Sequence, residues 1–568
     1  MATYEWKQIP WRKLEVSVFK LQRRIYKASK AGDVVRVHKL QRLLLKSQAA
    51  KLLAVRRVTQ DNQGKNTAGI DGVKSLAPQQ RLMLTHNLGK LPIGIPTRRV
   101  WIPKPGKEEN RPLGIPTLHD RALQALVKSA LEPEWEAKFE PNSYGFRPGR
   151  SVHDAIGAIF TAIRYQPKYA LDADISKCFD RIDHSALLKK IETFPSLARI
   201  IKIWLKAGVI DDGVFAETEK GTPQGGVLSP LLANIALHGL EEFIRNRYPV
   251  MRETRRNGIR KGMNWKPQVI RYADDFLVLH RDRSVIEECQ KLTKEWLANI
   301  GLELSEKKTR IAHTLDEVDG TAGFDFLGFN IRQYKTSKYN TCKGCGYKTL
   351  IKPGKEAIKS HRTQLSNIVS RNKAAKQENL IGLLNPVIAG WGNYYSAVVS
   401  TKAFQLLDHR LYEKLRRWAN WRHPRKSRHW IVRRYWKMSP EKSWVFCVTE
   451  ELNLNQHSKI PIVRHIKVRG KASLYDGNWS YWASRRGSYP GIPRQLTNLF
   501  KRQKGHCEAC GLFFRPDDFI EIHHVDGNRY DNRYVNLMAI HCHCHDQIHS
   551  GQHELSNFLG THDKRAIN

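Results

Sequence analysis

Two adjacent aspartates, Asp274 and Asp275, lie between two short runs rich in apolar, β-branched and aromatic residues at positions 268–272 and 276–280. This pattern predicts a β-hairpin with both carboxylates at its tip. Paired acids in an apolar hairpin are costly unless a cation neutralises them. Mg²⁺ is the natural candidate, because it takes oxygen ligands from one or two carboxylates together with substrate phosphates. The alternative is a solvated surface turn, in which Asp is common.

A second acidic run favours the catalytic interpretation. Residues 169–175 predict a strand that carries Asp174 near its end. Asp174 could supply the third carboxylate of a two-metal site, in which one ion activates an attacking 3′-hydroxyl and the other holds the leaving pyrophosphate. The chain has 96 Lys and Arg residues against 54 Asp and Glu, a net charge of +42, which implies a polyanionic partner. Phosphoryl transfer on nucleic acid is therefore the leading hypothesis.

The composition also bounds the organisation and location of the protein. With 568 residues, the chain is expected to form three to five modules. An anionic membrane surface is the alternative partner, but no apolar run approaches the roughly 18 residues of a spanning helix. The first residues show no secretory pattern, so we expect a cytoplasmic location. Cys342 and Cys345 form a spaced pair without a nearby second pair, and a basic insertion is the preferred interpretation there.

Asp174 together with residues 272–275 resembles the catalytic motifs of a reverse transcriptase, specifically the protein encoded by a bacterial group II intron. The resemblance covers nearly the whole chain. It implies that Asp174, Asp274 and Asp275 are catalytic and bind two Mg²⁺ ions, and that Phe179 is an aromatic gate against the 2′-hydroxyl of a ribonucleotide. The residues that the resemblance places against nucleotide or template are Lys104, Arg111, Phe179, Gln224 and Lys308.

The resemblance also implies a fold. We expect a multidomain α/β protein with the right-hand polymerase architecture, in which fingers and palm carry an antiparallel sheet and the thumb is α-helical. A small zinc-stapled ββα-metal domain of the HNH type would follow. The expected limits are 1–90 for an N-terminal RNA-binding extension, 91–335 for fingers and palm, 336–440 for the thumb or maturase domain, 441–500 for a DNA-binding region, and 501–568 for the HNH endonuclease domain.

Local patterns predict how the nucleotide-binding residues are held. Residues 99–116 predict a hairpin whose two arms carry Lys104 and Arg111, which could both reach a triphosphate. A solvated basic hairpin is the alternative in a chain of this charge. The loop that contains Gln224 leads into a helix, for which Ser229 is the expected N-cap and Pro230 the first helical residue.

The C-terminal tail concentrates cysteine and histidine. The pair Cys507 and Cys510 precedes a second Cys/His group by about thirty residues, which is typical of a structural zinc site. Metal binding explains this clustering better than disulfides do in a reducing compartment. Cys544 and either His541 or Cys542 would complete the site, and the spacing in the resembled family favours His541.

Further polar residues of the tail match the HNH endonuclease pattern. That match implies His524 as the general base on an attacking water and Asn536 as the residue that orients it. His523 with His545 or His549 would hold one catalytic divalent ion, Mg²⁺ or another. Neutral imidazole suits both the base and the ligand roles. A zinc-stapled DNA-binding knuckle without cleavage is the alternative.

These observations lead to one hypothesis with two alternatives. The chain is expected to bind its group II intron RNA, assist its splicing, and nick target DNA so that the new 3′-hydroxyl primes DNA synthesis from dNTPs. A splicing factor with vestigial motifs is disfavoured because every chemical residue is intact. A retron-like or defence-associated reverse transcriptase is disfavoured by the order of thumb, basic linker and HNH pattern. The sequence does not indicate the oligomeric state.

Overall fold

The structure is a computed structural model that describes residues 5–90, 92–103, 109–248, 251–254, 260–263, 266–337, 346–438, 444–449, 451–515 and 518–550. The predictions for Lys104, Cys342 and Cys345 fall outside the described residues. Across these ranges, no helix combines the length and the apolar character that crossing a membrane requires.

The N-terminal third is mainly helical, and its helices pack around α5. Val18, Ile25 and Leu44 are buried from the amphipathic helices α1 and α2, and they join one core with Leu126 and Leu131 of α5. The elements in this part are α1 (Trp11–Lys30), α2 (Val34–Lys46), α3 (Gln48–Arg56), α4 (Pro78–Asn87), β1 (Thr97–Pro103), β2 (Asn110–Ile115), α5 (Leu118–Lys138) and α6 (Val152–Ile163).

The central part contains two four-stranded sheets. Its elements are β3 (Tyr169–Asp174), α7 (Cys178–Arg181), α8 (His184–Ile191), α9 (Pro195–Leu205), β4 (Val209–Asp211), β5 (Val214–Ala216), α10 (Ser229–Ala236), α11 (Leu240–Asn246), β6 (Met251–Thr254), β7 (Arg260–Met263), β8 (Gln268–Tyr272), β9 (Asp275–His280), α12 (Arg283–Ala298) and β10 (Arg310–His313). One sheet has the order β2-β1-β4-β5, and the other has the order β10-β3-β9-β8. All pairs in the second sheet are antiparallel. The predicted hairpins β1–β2 and β8–β9 are confirmed.

An aromatic hairpin joins this region to a helical domain. Antiparallel pairing links β11 to β12 and β12 to β13. This three-stranded sheet therefore has strands on both sides of the expected boundary between residues 335 and 336. The following helices enclose a separate core. The elements are β11 (Phe324–Phe326), β12 (Phe329–Lys335), β13 (Tyr347–Pro353), α13 (Lys355–Arg371), α14 (Gln377–Tyr395), α15 (Thr401–Arg422) and α16 (Arg428–Tyr435).

The C-terminal part ends in a ββα unit. β16 and β17 pair antiparallel, with His524 opposite Leu537, and α19 follows directly. This element order is the one expected of a ββα-metal domain, and the HNH assignment of the unit stays a prediction. The elements are β14 (Trp436–Met438), β15 (Trp444–Phe446), α17 (Trp479–Arg486), α18 (Arg494–Arg502), β16 (Ile520–His524), β17 (Leu537–His541) and α19 (Cys542–His549).

Residues 465–486 connect this ββα unit to the loop before α6, which packs on the β10-β3-β9-β8 sheet, called the palm sheet below. The Trp482 ring is completely buried against Gly149, where an added Cβ would lie 2.7 Å from the indole. The Arg150 guanidinium donates to the carbonyls of Gly470 and Ala472 at 2.9 and 3.2 Å. One apolar core therefore extends from the palm sheet to the tail.

Substitution of Trp482 tests this attachment. Trp482→Ala is expected to destabilise the contact by about 3–5 kcal/mol, because the truncated ring leaves a cavity that Gly149 cannot fill. Limited proteolysis should then cleave the chain between the helical domain and the tail faster than in the parent. Arg486→Ala is the matched control, since Arg486 is exposed on the same helix. Equal cleavage rates for Trp482→Ala and the parent would contradict the attachment.

Candidate active sites

Three carboxylates meet at one end of the palm sheet. Asp174, the last residue of β3, is the Cα partner of Asp275, the first residue of β9. Directly paired residues of antiparallel strands have Cα atoms about 4.5–5.5 Å apart. Asp274 lies in the tight turn between β8 and β9, in which Ala273 has a left-handed φ of 57°. The structure thus brings together the three aspartates that the sequence predicts to be catalytic.

The electrostatics of this carboxylate cluster suit a divalent cation. Burial raises the pKa of Asp275 first, and the charges of Asp274 and Asp174 raise it further, to about 7. The pKa of Asp274 is also raised, mainly by burial, although the positive charge of Arg111 on β2 partly offsets the effect. Buried acids that repel one another are stabilised by a hard cation with oxygen ligands. The residues therefore fit the Mg²⁺ ions that the sequence implies.

Lys308 supplies a positive charge within the cluster. Its Nζ forms an ion pair with Oδ2 of Asp174. The end of β3 holds the segment that precedes Lys308. The Ser305 amide donates to the Asp174 carbonyl at 2.8 Å, and the Ser176 amide donates to the Glu303 carbonyl at 2.9 Å. Backbone hydrogen bonds therefore position the segment from which the Lys308 side chain reaches Asp174.

A buried polar clamp shapes the turn that carries Asp274. Arg271 is 3% exposed, and its Nη1 donates to Oδ1 of Asn234 at 3.1 Å and to the carbonyl of Ala273 at 3.2 Å. Asn234 in turn donates to the carbonyl of Gly145 at 2.8 Å. An added Cβ at Gly145 would lie 2.3 Å from the amide nitrogen of Ala273, so glycine is required for this close approach. The carboxylate of Glu140 lies 4.0 Å from Arg271 and supplies the opposite charge.

Backbone contacts place the Gln224 loop beside Phe179. The Thr222 amide donates to the carbonyl of Phe179 at 2.6 Å, and the Gln224 carbonyl accepts from the Gly114 amide at 2.6 Å. The Gln224 side chain donates to Asp180 at 3.2 Å. The half-buried Phe179 ring contacts Phe146 edge-on, with ring centroids 6.2 Å apart. The loop, the β1–β2 hairpin and the predicted gate residue therefore form one wall beside the carboxylates.

The prediction that Ser229 caps α10 is wrong. Ser229 is the first helical residue, Leu228 precedes it with helical backbone angles, and no side chain caps this end. The Ser229 hydroxyl instead donates to the carbonyl of Pro223 at 2.7 Å. Ser229 therefore fixes the Gln224 loop rather than the helix end.

Four predicted zinc ligands converge in the tail. One donor atom from each of Cys507, Cys510, His541 and Cys544 lies within 4.8 Å of the others. Nδ1 of His541 lies 3.4 Å from the Cys510 sulfur, while its Nε2 lies 3.2 Å from the carboxylate of Asp518. A carboxylate on the far nitrogen fixes the ring orientation of a metal-binding histidine. Three thiols and one imidazole fit Zn²⁺.

The structure favours His541 over Cys542 for the fourth position. The Cys542 thiol points away from the other three cysteines and donates to Oε1 of Glu521 at 3.4 Å. The other oxygen of Glu521 lies 2.7 Å from Nδ1 of His545. This contact leaves Nε2 of His545 facing Nε2 of His549, 3.1 Å away.

A second cluster joins His523, His545 and His549, whose donor atoms also lie within 4.8 Å of one another. Burial lowers the pKa of His523, and the neighbouring imidazoles lower it further, which keeps a metal-binding nitrogen unprotonated. Nε2 of His524 is buried without a hydrogen-bond partner in the described part of the chain. The three imidazoles can hold a divalent ion.

Asn536 holds the loop that follows His524. Its amide donates to the carboxylate of Asp526 at 2.7 Å and to the carbonyl of Asp531 at 3.0 Å, and its Oδ1 accepts from the Asp526 amide at 3.0 Å. These bonds use its side chain within the loop, whereas the sequence predicts that Asn536 orients a water. That water-orienting role stays a prediction.

Comparison with known proteins identifies the family. Three family models match: the N-terminal domain of reverse transcriptase at residues 6–88, reverse transcriptase (RNA-dependent DNA polymerase) at 102–331, and the group II intron, maturase-specific domain at 358–436. Protein YkfC of Escherichia coli (strain K12) is 34% identical over 355 residues, which cover 57% of this chain and 90% of YkfC. Group II intron-encoded protein LtrA of Lactococcus lactis subsp. cremoris is 33% identical over 291 residues. The chain belongs to the group II intron-encoded reverse transcriptase and maturase family.

The extent of these matches differs along the chain. The LtrA alignment covers 42% of this chain and 47% of LtrA, so the chain spans about half the length of that relative. The putative COX1/OXI3 intron 2 protein of Saccharomyces cerevisiae is 23% identical over 572 residues, which cover 87% of this chain and 63% of that protein. The last of the three family models ends at residue 436, so the two clusters of potential metal ligands lie beyond all of them.

Sequence reasoning missed the residues that hold the reverse transcriptase carboxylates in place. Arg271 carries a recognisable signal, because it is a cation within the apolar run of β8. Asn234 and Gly145 carry none, since they are distant in sequence and are joined to the turn only by the fold. Glu521 lies two residues before His523, and only the structure shows that it orients His545.

The clamp generates a testable prediction for the reverse transcriptase. Asn234→Ala removes the acceptor for Arg271 and the donor to Gly145, so the turn that carries Asp274 should shift. A misplacement of about 1 Å can cost up to 10²-fold in rate, and we expect kcat for primer extension to fall about ten- to hundred-fold with a smaller change in KM for dNTP. Steady-state primer extension measures both. Glu242→Gln, at an exposed position on α11, is the control. An unchanged kcat for Asn234→Ala would remove the clamp from this role.

Proposed function

We propose that this reverse transcriptase and maturase copies RNA into DNA at Asp174, Asp274 and Asp275, assists the splicing of its intron RNA, and nicks target DNA with its C-terminal unit. The register that pairs Asp174 with Asp275 carries the polymerase proposal, because it gathers the acids at one end of the sheet. The new 3′-hydroxyl at the nick would serve as the primer. In this scheme nicking precedes DNA synthesis, and the intron RNA is the template.

The polymerase residues divide the work of the reaction. When bound, two Mg²⁺ ions would activate the primer 3′-hydroxyl and neutralise the charge that develops on the leaving pyrophosphate. Arg111 would hold the triphosphate as a fork, together with Lys104. Phe179 would lie under the sugar and exclude a 2′-hydroxyl, and Gln224 would lie along the nucleotide and template.

The maturase proposal rests on the charge of the helical domain. Residues 414–438 contain ten Lys and Arg residues and no Asp or Glu. This run lies at the end of the segment that matches the group II intron, maturase-specific domain. Such a concentration of cations suits the phosphates of a folded RNA.

The nuclease proposal rests on the three-histidine cluster beside His524. A structural zinc knuckle needs only its four ligands, whereas His523, His545 and His549 form a second set of metal ligands. Among the described residues, the buried Nε2 of His524 has no hydrogen-bond partner, so this nitrogen would be free to accept a proton from an attacking water. When bound, a divalent ion would stabilise the charge that develops on the cleaved phosphate.

The polymerase assignment predicts the effect of removing two charges. Asp274→Asn combined with Asp275→Asn keeps the shapes of the side chains but removes the negative charges that hold Mg²⁺, so primer extension on an RNA template should become undetectable. Extension is measured with labelled primer and dNTPs. Glu306→Gln is the matched control, because Glu306 is an exposed acid close in sequence to Lys308. Primer extension by the double variant would show that the polymerase site lies elsewhere.

The tail assignments predict that two variants fail in different ways. Cys507→Ser removes a thiolate from the four-ligand cluster, so the variant should lose zinc and the tail should unfold. His524→Ala should retain zinc but nick target DNA about 10²- to 10⁴-fold more slowly, because the general base is gone. Cys542→Ser is the control for the ligand set, since its thiol contacts Glu521 instead. Zinc content and the nicking rate are measured for all three.

Three results would contradict these assignments. If His524→Ala nicks DNA at the parental rate, the tail is a DNA-binding module without cleavage. If His524→Ala loses zinc, or if Cys542→Ser loses it, the ligand set is wrong.

A further inference from the structure

A cavity at the tip of the helical domain combines an exposed aromatic ring with several cations. Its volume is about 680 Å³, which lies within the usual range for ligand sites. It is formed between the C-terminus of α15 and the outer face of α16. The residues that line it are His423, Ser427, His429, Trp430, Arg433 and Arg434.

One face of α16 carries the aromatic ring and two of the cations of this cavity. Trp430, Arg433 and Arg434 lie at positions i, i+3 and i+4 of the helix, so their side chains project from the same face. Trp430 remains 38% exposed, although its ring meets His423 edge-on with centroids 4.9 Å apart. A ring nitrogen of His423 lies 2.8 Å from the buried Tyr435 hydroxyl, and this contact holds the His423 ring in place at the cavity.

The cavity carries positive charge without compensation. Arg433 and Arg434 have no carboxylate partner within the ranges that the structure describes, and no lining residue is acidic. A basic groove on α13 and α15 differs in this respect, because Glu413 accepts from Arg410 there at 2.9 Å. Free guanidinium groups beside an accessible indole suit a phosphate and a nucleobase joined by a sugar, since bases stack on aromatic rings and Arg binds phosphate as a fork.

We propose that this cavity binds an unpaired nucleotide of intron RNA, with the base stacked on Trp430 and the flanking phosphates bound by Arg433 and Arg434. The proposal rests on the maturase function proposed above and adds the mode of recognition. A duplex keeps its bases stacked on one another, so only a loop, bulge or single strand can offer a base to Trp430. The occupant is thus single-stranded RNA rather than a paired stem.

The test uses a stem-loop RNA that carries 2-aminopurine in its loop, with the fully paired stem as the comparison. Trp430→Ala should weaken binding of the stem-loop about ten- to hundred-fold, since stacking on an aromatic ring is lost. It should also reduce the quenching of the 2-aminopurine on binding. Trp430→Phe should recover part of both signals. Trp421→Ala is the matched control, because Trp421 is an exposed indole on α15 outside the cavity.

The salt dependence of RNA affinity distinguishes the contribution of the Trp430 ring from that of the arginine charges. Arg434→Gln should lower the slope of log affinity against log salt by about 0.7, because one phosphate contact is lost, whereas Trp430→Ala should leave the slope unchanged. Arg434 is exposed, so this variant keeps the proposal testable if Trp430→Ala fails to fold.

The outcomes distinguish this proposal from the maturase function itself. If the parent protein binds no stem-loop RNA, the maturase function fails first. If the parent binds but Trp430→Ala and Trp421→Ala behave alike, only the pocket is overturned. Equal losses for the stem-loop and the paired stem would also overturn it. So would a loss confined to single-stranded DNA of the same sequence, since that result would assign the pocket to target DNA.

Discussion

Repulsion among three half-buried carboxylates is the constraint on which the polymerase end of this molecule depends. The register of β3 against β9 places Asp174 opposite Asp275, and the adjoining turn adds Asp274. Burial and mutual repulsion raise the pKa of Asp275 to about 7, so the cluster is unfavourable as a set of free anions. Cationic groups around it reduce this cost: Lys308 forms an ion pair with Asp174, and Arg111 partly offsets the rise in the pKa of Asp274. Carboxylates that repel one another in this way are suited to bind a divalent cation strongly.

The surrounding structure opposes relaxation of this cluster. Arg271 and Asn234 hold the backbone of the turn through buried hydrogen bonds, and Gly145 allows a neighbouring loop to approach it closely. These hydrogen bonds join three segments that are distant in sequence at the turn that carries Asp274. Backbone hydrogen bonds likewise fix the Gln224 loop beside Phe179, where the nucleotide is proposed to bind. The fixed backbone position of the turn that carries Asp274 therefore distinguishes it from a solvated acidic hairpin.

The sequence predicted the elements whose signals are local. Runs of apolar, β-branched and aromatic residues indicated β8 and β9, and the spacing of Cys507 and Cys510 from a second Cys/His group indicated a metal site. The structure shows the hairpin and brings Cys507, Cys510, His541 and Cys544 together. Contacts between distant segments carried no such signal. The Ser229 hydroxyl bonds to Pro223 instead of capping its helix, because the loop before it turns back, and that turn cannot be read from a serine followed by proline. Residues 465–486 lack clear periodicity because their order comes from burial of Trp482 against the palm, not from their own amphipathic pattern.

The two clusters of potential metal ligands in the tail share one helix, so the position of that helix affects both. Cys544 faces the four-ligand cluster from the first turn of α19, while His545 and His549, four residues apart on one face, belong to the three-histidine cluster. The rotation and position of α19 therefore determine whether both imidazoles can meet His523. A zinc ion that holds Cys544 and His541 would fix that helix against β17, and zinc sites of this kind contribute folding free energy to small modules. Glu521 bonds to both Cys542 and His545 and ties the same helix to β16. With zinc bound, the four-ligand cluster would thus help to set the geometry of the three-histidine cluster beside it.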